Sequence, residues 1–285
     1  MSLIMKFFRK WGPKLRNTPL GRSELLGNFH GFITVLLHNS NNVKYGPFTI
    51  QFDKRDRCIA KKLILYGEYE KREIDLFCSL IKPGDIVLDI GANIGLYSLF
   101  LSRAVGSKGK VIAVEPDPDN AKILKTNLKN NGCNNNVDVL QMAFGSKSGD
   151  GNLFQCDSNR GMLSFADLNK TGCSIKIPIN RGDEILRNLN IKPDAAKIDV
   201  EGAEPEVIEG LGDLRPSIIL FEFVPKQLLA LNHNPETFLI SLASEGYDLN
   251  LIDSDDGKLT RCIPSEIIAK TIEDKDYNIL ARKAK

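Results

Sequence analysis

Val87-Leu-Asp-Ile-Gly-Ala-Asn-Ile-Gly-Leu-Tyr97 decides the fold. An apolar strand, Ile86 to Leu88, runs into Asp89, Gly91, Asn93 and Gly95, and an apolar helix follows. Gly91 and Gly95 permit a tight turn and close approach of backbone to a ligand, and the helix presents free N–H groups at its start. A second strand, Lys110 to Val114, ends in Glu115, 20 residues after Gly95. In a doubly wound sheet that position sets a carboxylate beside the ribose hydroxyls of a nucleoside. Strand, glycine turn, helix, strand and terminal acid therefore predict a nucleoside site.

The turn also says which nucleoside. A dinucleotide site wants Gly-x-Gly-x-x-Gly, because a pyrophosphate must lie against it. Here an acid opens the turn and Asn93 replaces a glycine, so the pocket offers a carboxylate and an amide. That set suits the zwitterionic amino-acid tail of S-adenosylmethionine (SAM), which is the expected cofactor. Gly91, Asn93 and Gly95 would shape the turn under the tail and Asp89 would meet its ammonium. Glu115 would accept both ribose hydroxyls, Pro116 would pack on the adenine face, and Met142 with Ala143, ending a third strand over 137–143, would line the other face.

Outward from this core, strand and helix alternate: strand 86–90, helix 95–104, strand 110–115, helix 118–130. The alternation predicts an α/β, doubly wound, mostly parallel sheet covered on both faces. Lys82-Pro83-Gly84 stops a preceding helix over 69–81. Residues 144–174 read as irregular, and 175–180 as a strand. Strand 195–200 is followed by a helix with Val207, Ile208 and Leu211 inward. The apolar run 217–223 reads as a central strand, and Asn234-Pro235-Glu236 as a helix start. Strands near 247–253 and 277–282 complete the sheet.

Asp199 and Glu201 close the strand over 195–200, and Glu222 sits near the end of the next. All three fall at the carboxyl edge, where open α/β sheets bind ligands. Grouped carboxylates can push one proton affinity up and leave it able to take a proton. The three are the candidate catalytic residues, with His233 as an alternative base. Asp199 and Glu222 could instead hold Mg²⁺, but no further acid follows Glu222 closely, so no metal is expected.

Three blocks carry a resemblance: Asp89-Ile-Gly-Ala-Asn-Ile-Gly-Leu-Tyr97, Val114-Glu-Pro-Asp117 and Lys197-Ile-Asp-Val-Glu-Gly-Ala-Glu204. In order and spacing they resemble the FkbM-type family of SAM-dependent methyltransferases over roughly residues 65 to 225. The resemblance implies a class I methyltransferase (Rossmann-like) fold with a seven-stranded sheet, and O-methylation of a sugar, a glycan or a hydroxylated metabolite. The chain departs from the family at Arg181-Gly-Asp-Glu-Ile-Leu186, where Thr-Leu-Asp-Glu-Leu is usual, although Asp183 and Glu184 keep their places. The other readings are an N-methyltransferase on protein or nucleic acid and a non-catalytic scaffold. The missing Asn/Asp-Pro-Pro-Tyr/Phe signature opposes the first, and intact Gly91, Gly95 and Glu115 oppose the second.

With 285 residues, 42% of them hydrophobic, and a net charge of +2, the chain has no global electrostatic case for nucleic acid. Six scattered cysteines read as free thiols in a reducing compartment, consistent with a cytoplasmic protein. Residues 1–60 read as an extension ahead of a methyltransferase domain over 61–285. Within it, 32–38 and 43–52 are expected as a hairpin around Asn39-Ser40-Asn41-Asn42. Leu3, Ile4, Phe7, Phe8 and Trp11 form an apolar helical stripe backed by Lys6, Arg9, Lys10 and Lys14. That stripe fits either packing on the protein body or peripheral contact of residues 1–23 with an anionic membrane.

Overall fold

A computed structural model describes residues 35, 38, 40–56, 58–155, 163–166, 173–253, 256–271 and 276–283. The stripe over 1–23 lies outside them, as does most of the strand expected over 32–38; Val35 is helical. The chain divides into two compact units, residues 1–70 with 155–163, and residues 71–154 with 164–285. Among the described residues no helix is long and apolar enough to cross a membrane.

In the first unit, strands β1 (Asn42–Tyr45) and β2 (Phe48–Gln51) pair antiparallel. The expected single strand over 43–52 is thus itself a hairpin, because Gly46 at φ 54° and Pro47 turn the chain inside it. Helix α1 (Ile59–Tyr66) follows. The Asp56 carboxylate accepts the N–H of Cys58 at 2.8 Å and of Ile59 at 3.0 Å, satisfying donors at the helix start.

The second unit holds the large sheet. Its strands are β3 (Ile86–Ile90), β4 (Lys110–Val114), β5 (Val137–Leu140), β10 (Ala195–Ile198), β11 (Ile218–Phe223), β12 (Tyr247–Ile252), β13 (Leu259–Arg261) and β14 (Tyr277–Lys283). They lie in the order β13-β12-β14-β11-β10-β3-β4-β5. Strands β5, β4, β3, β10 and β11 run parallel, while β14 pairs antiparallel with both β11 and β12. The sheet has eight strands where seven were expected; the extra one, β13, is three exposed residues paired to β12.

Among the described residues, the stretch 144–174 expected as irregular carries strands, and the strand expected over 175–180 is present as Ser174–Arg181. Strands β6 (Ala143–Gly145), β7 (Gly149–Gln155), β8 (Leu163–Ser164) and β9 (Ser174–Arg181) form a second sheet, ordered β6-β9-β7-β8. The expected third strand over 137–143 is accordingly split: it leaves the large sheet at Leu140 and re-enters the small one at Ala143, which pairs with Ile179. Met142 therefore lies in the link and Ala143 opens β6, so neither ends a strand of the large sheet.

The helices of this unit are α2 (Lys71–Leu80), α3 (Leu96–Val105), α4 (Pro118–Asn130), α5 (Gly182–Asn188), α6 (Glu204–Leu211), α7 (Pro225–Ala230), α8 (Pro235–Ser244) and α9 (Pro264–Lys270). Their starts follow the local sequence. Asp117 accepts the N–H of Asn120 at 2.8 Å ahead of Pro118, and Asn234 accepts that of Thr237 at 2.9 Å ahead of Pro235. Leu88, Ile90, Val114, Ile198, Val207, Leu211, Phe221 and Phe223 are buried in one core cluster. Each such large side chain contributes about 1.5–3 kcal/mol by leaving water. That core clamps the strand ends from which the site is built.

Candidate active site

The chain leaves β3 for β4 on one side and comes back to β10 on the other, so β3 and β10 are neighbours at the point where strand order reverses. Open α/β sheets bind ligands in the crevice at the carboxyl ends of such strands. Gly91, φ 76°, sits at this point, and its N–H donates to Val114 O at 2.9 Å. A Cβ on Gly91 would fall 1.8 Å from the Asp199 carbonyl oxygen, so only glycine fits beneath β10. Gly95, φ 89°, has a different reason: a Cβ there would meet Leu124 of α4 at 2.3 Å, so this glycine packs two helices together.

Glu115 is buried, and both its oxygens are engaged. Oε2 accepts the N–H of Asn93 at 2.8 Å and Oε1 that of Asp117 at 2.9 Å. Burial pushes its carboxyl up to about 7, against the pull of these two N–H groups. Asn93 takes a left-handed backbone, φ 50°, which aims its N–H at that carboxylate. Each oxygen keeps a lone pair, which is what two vicinal ribose hydroxyls require. The N–H of Glu115 donates to Leu140 O at 3.0 Å, holding the end of β5 and the Gln141-Met142 link alongside. Pro116 is half-buried next to it. Met142 Sδ accepts from Asn180 at 3.5 Å, and Ala143 is buried in its β6 pairing.

Asp89 is 0% exposed. Its Oδ2 accepts from the Ser98 hydroxyl at 2.5 Å, while Oδ1 is buried with no hydrogen-bond partner among the described residues. Burial raises its carboxyl, partly offset by Lys197. A buried oxygen lacking a donor beside a glycine turn is what a ligand ammonium would satisfy, so the residues present fit SAM.

At the carboxyl ends of β10 and β11, carboxylate oxygens of Asp199, Glu201 and Glu222 come within 4.8 Å of one another. The structure thus gathers three acids from two separate blocks of sequence, Asp199 and Glu201 from one and Glu222 from the next strand. Glu201, φ 55°, and Gly202, φ 102°, form a left-handed pair. A Cβ on Gly202 would lie 2.7 Å from the Gln227 backbone, and the Gln227 amide donates to the Glu201 carboxylate. Burial, then the neighbouring charges of Asp199 and Glu204, push Glu201 up to about 8. His233 is not brought into this group: its Nε2 lies 2.5 Å from Glu206 of α6.

Two residues that the sequence reading left without a role complete the site. Glu204, 1% exposed, accepts the N–H of Val200 at 3.1 Å and of Gly202 at 3.3 Å, closing the loop that carries Glu201. Lys197, buried in β10, reaches Asp199 Oδ2 at 3.1 Å and Gly91 O at 3.2 Å. Its signal was present as a lone charge in the apolar run Ala195-Ala-Lys-Ile198. Asp183, in the atypical Arg181-Gly-Asp stretch, is a packing element. It pairs with Arg181 at 3.0 Å and Arg187 at 3.1 Å, and the Arg181 hydrogen bond holds its carboxyl below the usual range.

This sheet order, with the glycine turn after β3 and the buried acid after β4, is that of the class I SAM-dependent methyltransferase fold. More narrowly, residues 89–227 match the model of the Methyltransferase FkbM domain. The chain is 29% identical over 157 residues to Methyltransferase sdnD of Sordaria araneosa, covering 45% of this chain and 60% of that protein. It is 28% identical over 150 residues to the hexuronic acid methyltransferase AglP of Haloferax volcanii, covering 52% of this chain and 59% of that one. The chain thus spans about three fifths of each relative. A solved SAM-dependent O-methyltransferase from Thermotoga maritima aligns with a TM-score of 0.43 at 15% identity, covering 79% of this chain and 71% of its own.

Proposed function

We propose that the protein transfers a methyl group from SAM to a hydroxyl of a sugar, a glycan or another hydroxylated metabolite. The observation that carries this reading is the triplet Asp199, Glu201 and Glu222 beside the Gly91 turn. When bound, SAM supplies a methyl group already activated by its sulfonium. The protein's share is to orient the acceptor oxygen in line and to take its proton. Asp89, Gly91 and Asn93 seat the amino-acid tail, Glu115 holds the ribose, and Pro116 with Met142 flanks the base. Glu201 is the group suited to receive the proton, since its carboxyl is lifted to about 8 by burial and by Asp199 and Glu204. Asp199 and Glu222 accept hydrogen bonds from the acceptor's hydroxyls.

The relative that acts on hexuronic acid supports a sugar acceptor. Three acids around the transfer point repel a carboxylate, which favours a neutral hydroxyl there. The test is transfer of label from methyl-tritiated SAM to neutral hexoses, their glycosides and hexuronic acids. D199N and E201Q should lower kcat by two to four orders of magnitude while changing SAM affinity far less. Loss of label transfer on adding EDTA and its return with Mg²⁺ would reassign the triplet to a metal, for which a 4.8 Å spacing is also suitable.

A further inference from the structure

Lys197 occupies the floor of the site, 6% exposed, in a strand whose other residues are Ala195, Ala196 and Ile198. A buried ammonium is costly unless its hydrogens are used. Lys197 faces Asp89 across the β3–β10 register, its Nζ lies 5.0 Å from the centroid of the Tyr97 ring, and it donates to two oxygens of different function. One is the Gly91 carbonyl, in the turn beneath the cofactor tail; the other is Asp199 Oδ2, at the acceptor edge. Asp199 is 28% exposed through its side chain, so it has room to swing unless something holds it. Among the described residues Glu201 makes no ion pair, and its carboxylate is held by the Gln227 amide.

We propose that Lys197 is a positioning residue that ties the cofactor turn to the acceptor acids: one ammonium fixes the Gly91 carbonyl and the Asp199 carboxylate together. Seating the cofactor and aiming Asp199 then become one event. The division of labour follows. Asp199, anchored by a cation, orients the acceptor hydroxyl, and Glu201, without one, takes the proton. This inference rests on the SAM-site reading above and deepens it.

The test separates geometry from charge by using two ligands. SAM carries a sulfonium and S-adenosylhomocysteine does not. If Lys197 acts by holding the turn, K197M weakens both ligands by the same factor, about 10-fold, and lowers kcat beyond that loss. If Lys197 acted only as a positive charge, its removal would tighten SAM relative to S-adenosylhomocysteine. The K197M/D199N double variant should bind both ligands within twofold of K197M alone, because the two changes break one link. K197R, which keeps a cation and donors, should recover most of the affinity. Circular dichroism and thermal melting establish folding. If K197M does not fold, K197Q, which retains an N–H donor without the charge, takes its place in the same comparison. Unchanged binding of both ligands, tighter SAM alone, or multiplying losses in the double variant would overturn the proposal and leave the SAM site standing. A wild-type protein that binds neither ligand would overturn both.

Discussion

Glu201 carries a left-handed backbone, φ 55°, that a residue with a Cβ rarely adopts. Such a conformation costs on the order of 1–3 kcal/mol and persists only where its surroundings enforce it. Here the enforcement is visible: Gly202 is pressed against the Gln227 backbone, and the Gln227 amide holds the Glu201 carboxylate. We expect E201G to melt at or above the wild-type temperature while losing at least two orders of magnitude in methyl transfer. Wild-type turnover in that variant would move the proton acceptor elsewhere. Glu115 shows the same separation of roles, its two N–H partners fixing it and leaving lone pairs outward. That the turn from Asp89 to Gly95 meets Glu115 was legible in the sequence because the arrangement is local, one turn and one strand end apart. Lys197 was not assigned a role, because its partner Gly91 meets it only after β3 and β10 pair.

Elements, rather than single residues, place the acids. The loop from Val200 to Ala203 has no regular structure, and Glu204, at the start of α6, supplies the acceptor for two of its N–H groups. E204A should leave both donors unsatisfied and cost about 2–3 kcal/mol, read as a lower midpoint in urea, together with lost turnover. E204Q keeps a carbonyl acceptor and should retain most of both. Equal damage from the two variants would mean that charge, not the loop's hydrogen bonds, is what Glu204 provides. The alternation of strands and helices around β3, β4, β10 and β11 was readable from hydrophobic runs and caps. Of the small sheet only β9 was readable, as the strand over 175–180; its pairing with β7 was not, since it joins residues as far apart as Gly149 and Ile179. The Gly46-Pro47 turn was missed for the opposite reason: it lies inside one continuous β-prone run.

Taken as a whole, the molecule concentrates raised carboxyls at one sheet edge: Glu115 and Glu204 near 7, Glu201 near 8, and Asp89 raised by burial. An acid whose folded-state affinity for protons exceeds its unfolded value stabilises the fold when protonated. That stabilisation is present below the ordinary value of 4.5 and is lost as pH rises through about 7 to 8. The ligand-free protein should therefore lose stability from these groups across that window, seen as a falling melting temperature. Ribose hydroxyls donate better to an ionised Glu115, so the rise in melting temperature caused by S-adenosylhomocysteine should grow as pH passes about 7. A ligand effect independent of pH would remove Glu115 from the ribose. The central claim is that this edge holds SAM, and calorimetric titration of the full chain with SAM, wild type beside E115A, tests it most directly. Saturable one-site binding is expected, weakened roughly 10- to 150-fold in E115A by loss of a charged acceptor worth about 1.5–3 kcal/mol; no binding by the wild type, or an unchanged dissociation constant in a folded E115A, would contradict it.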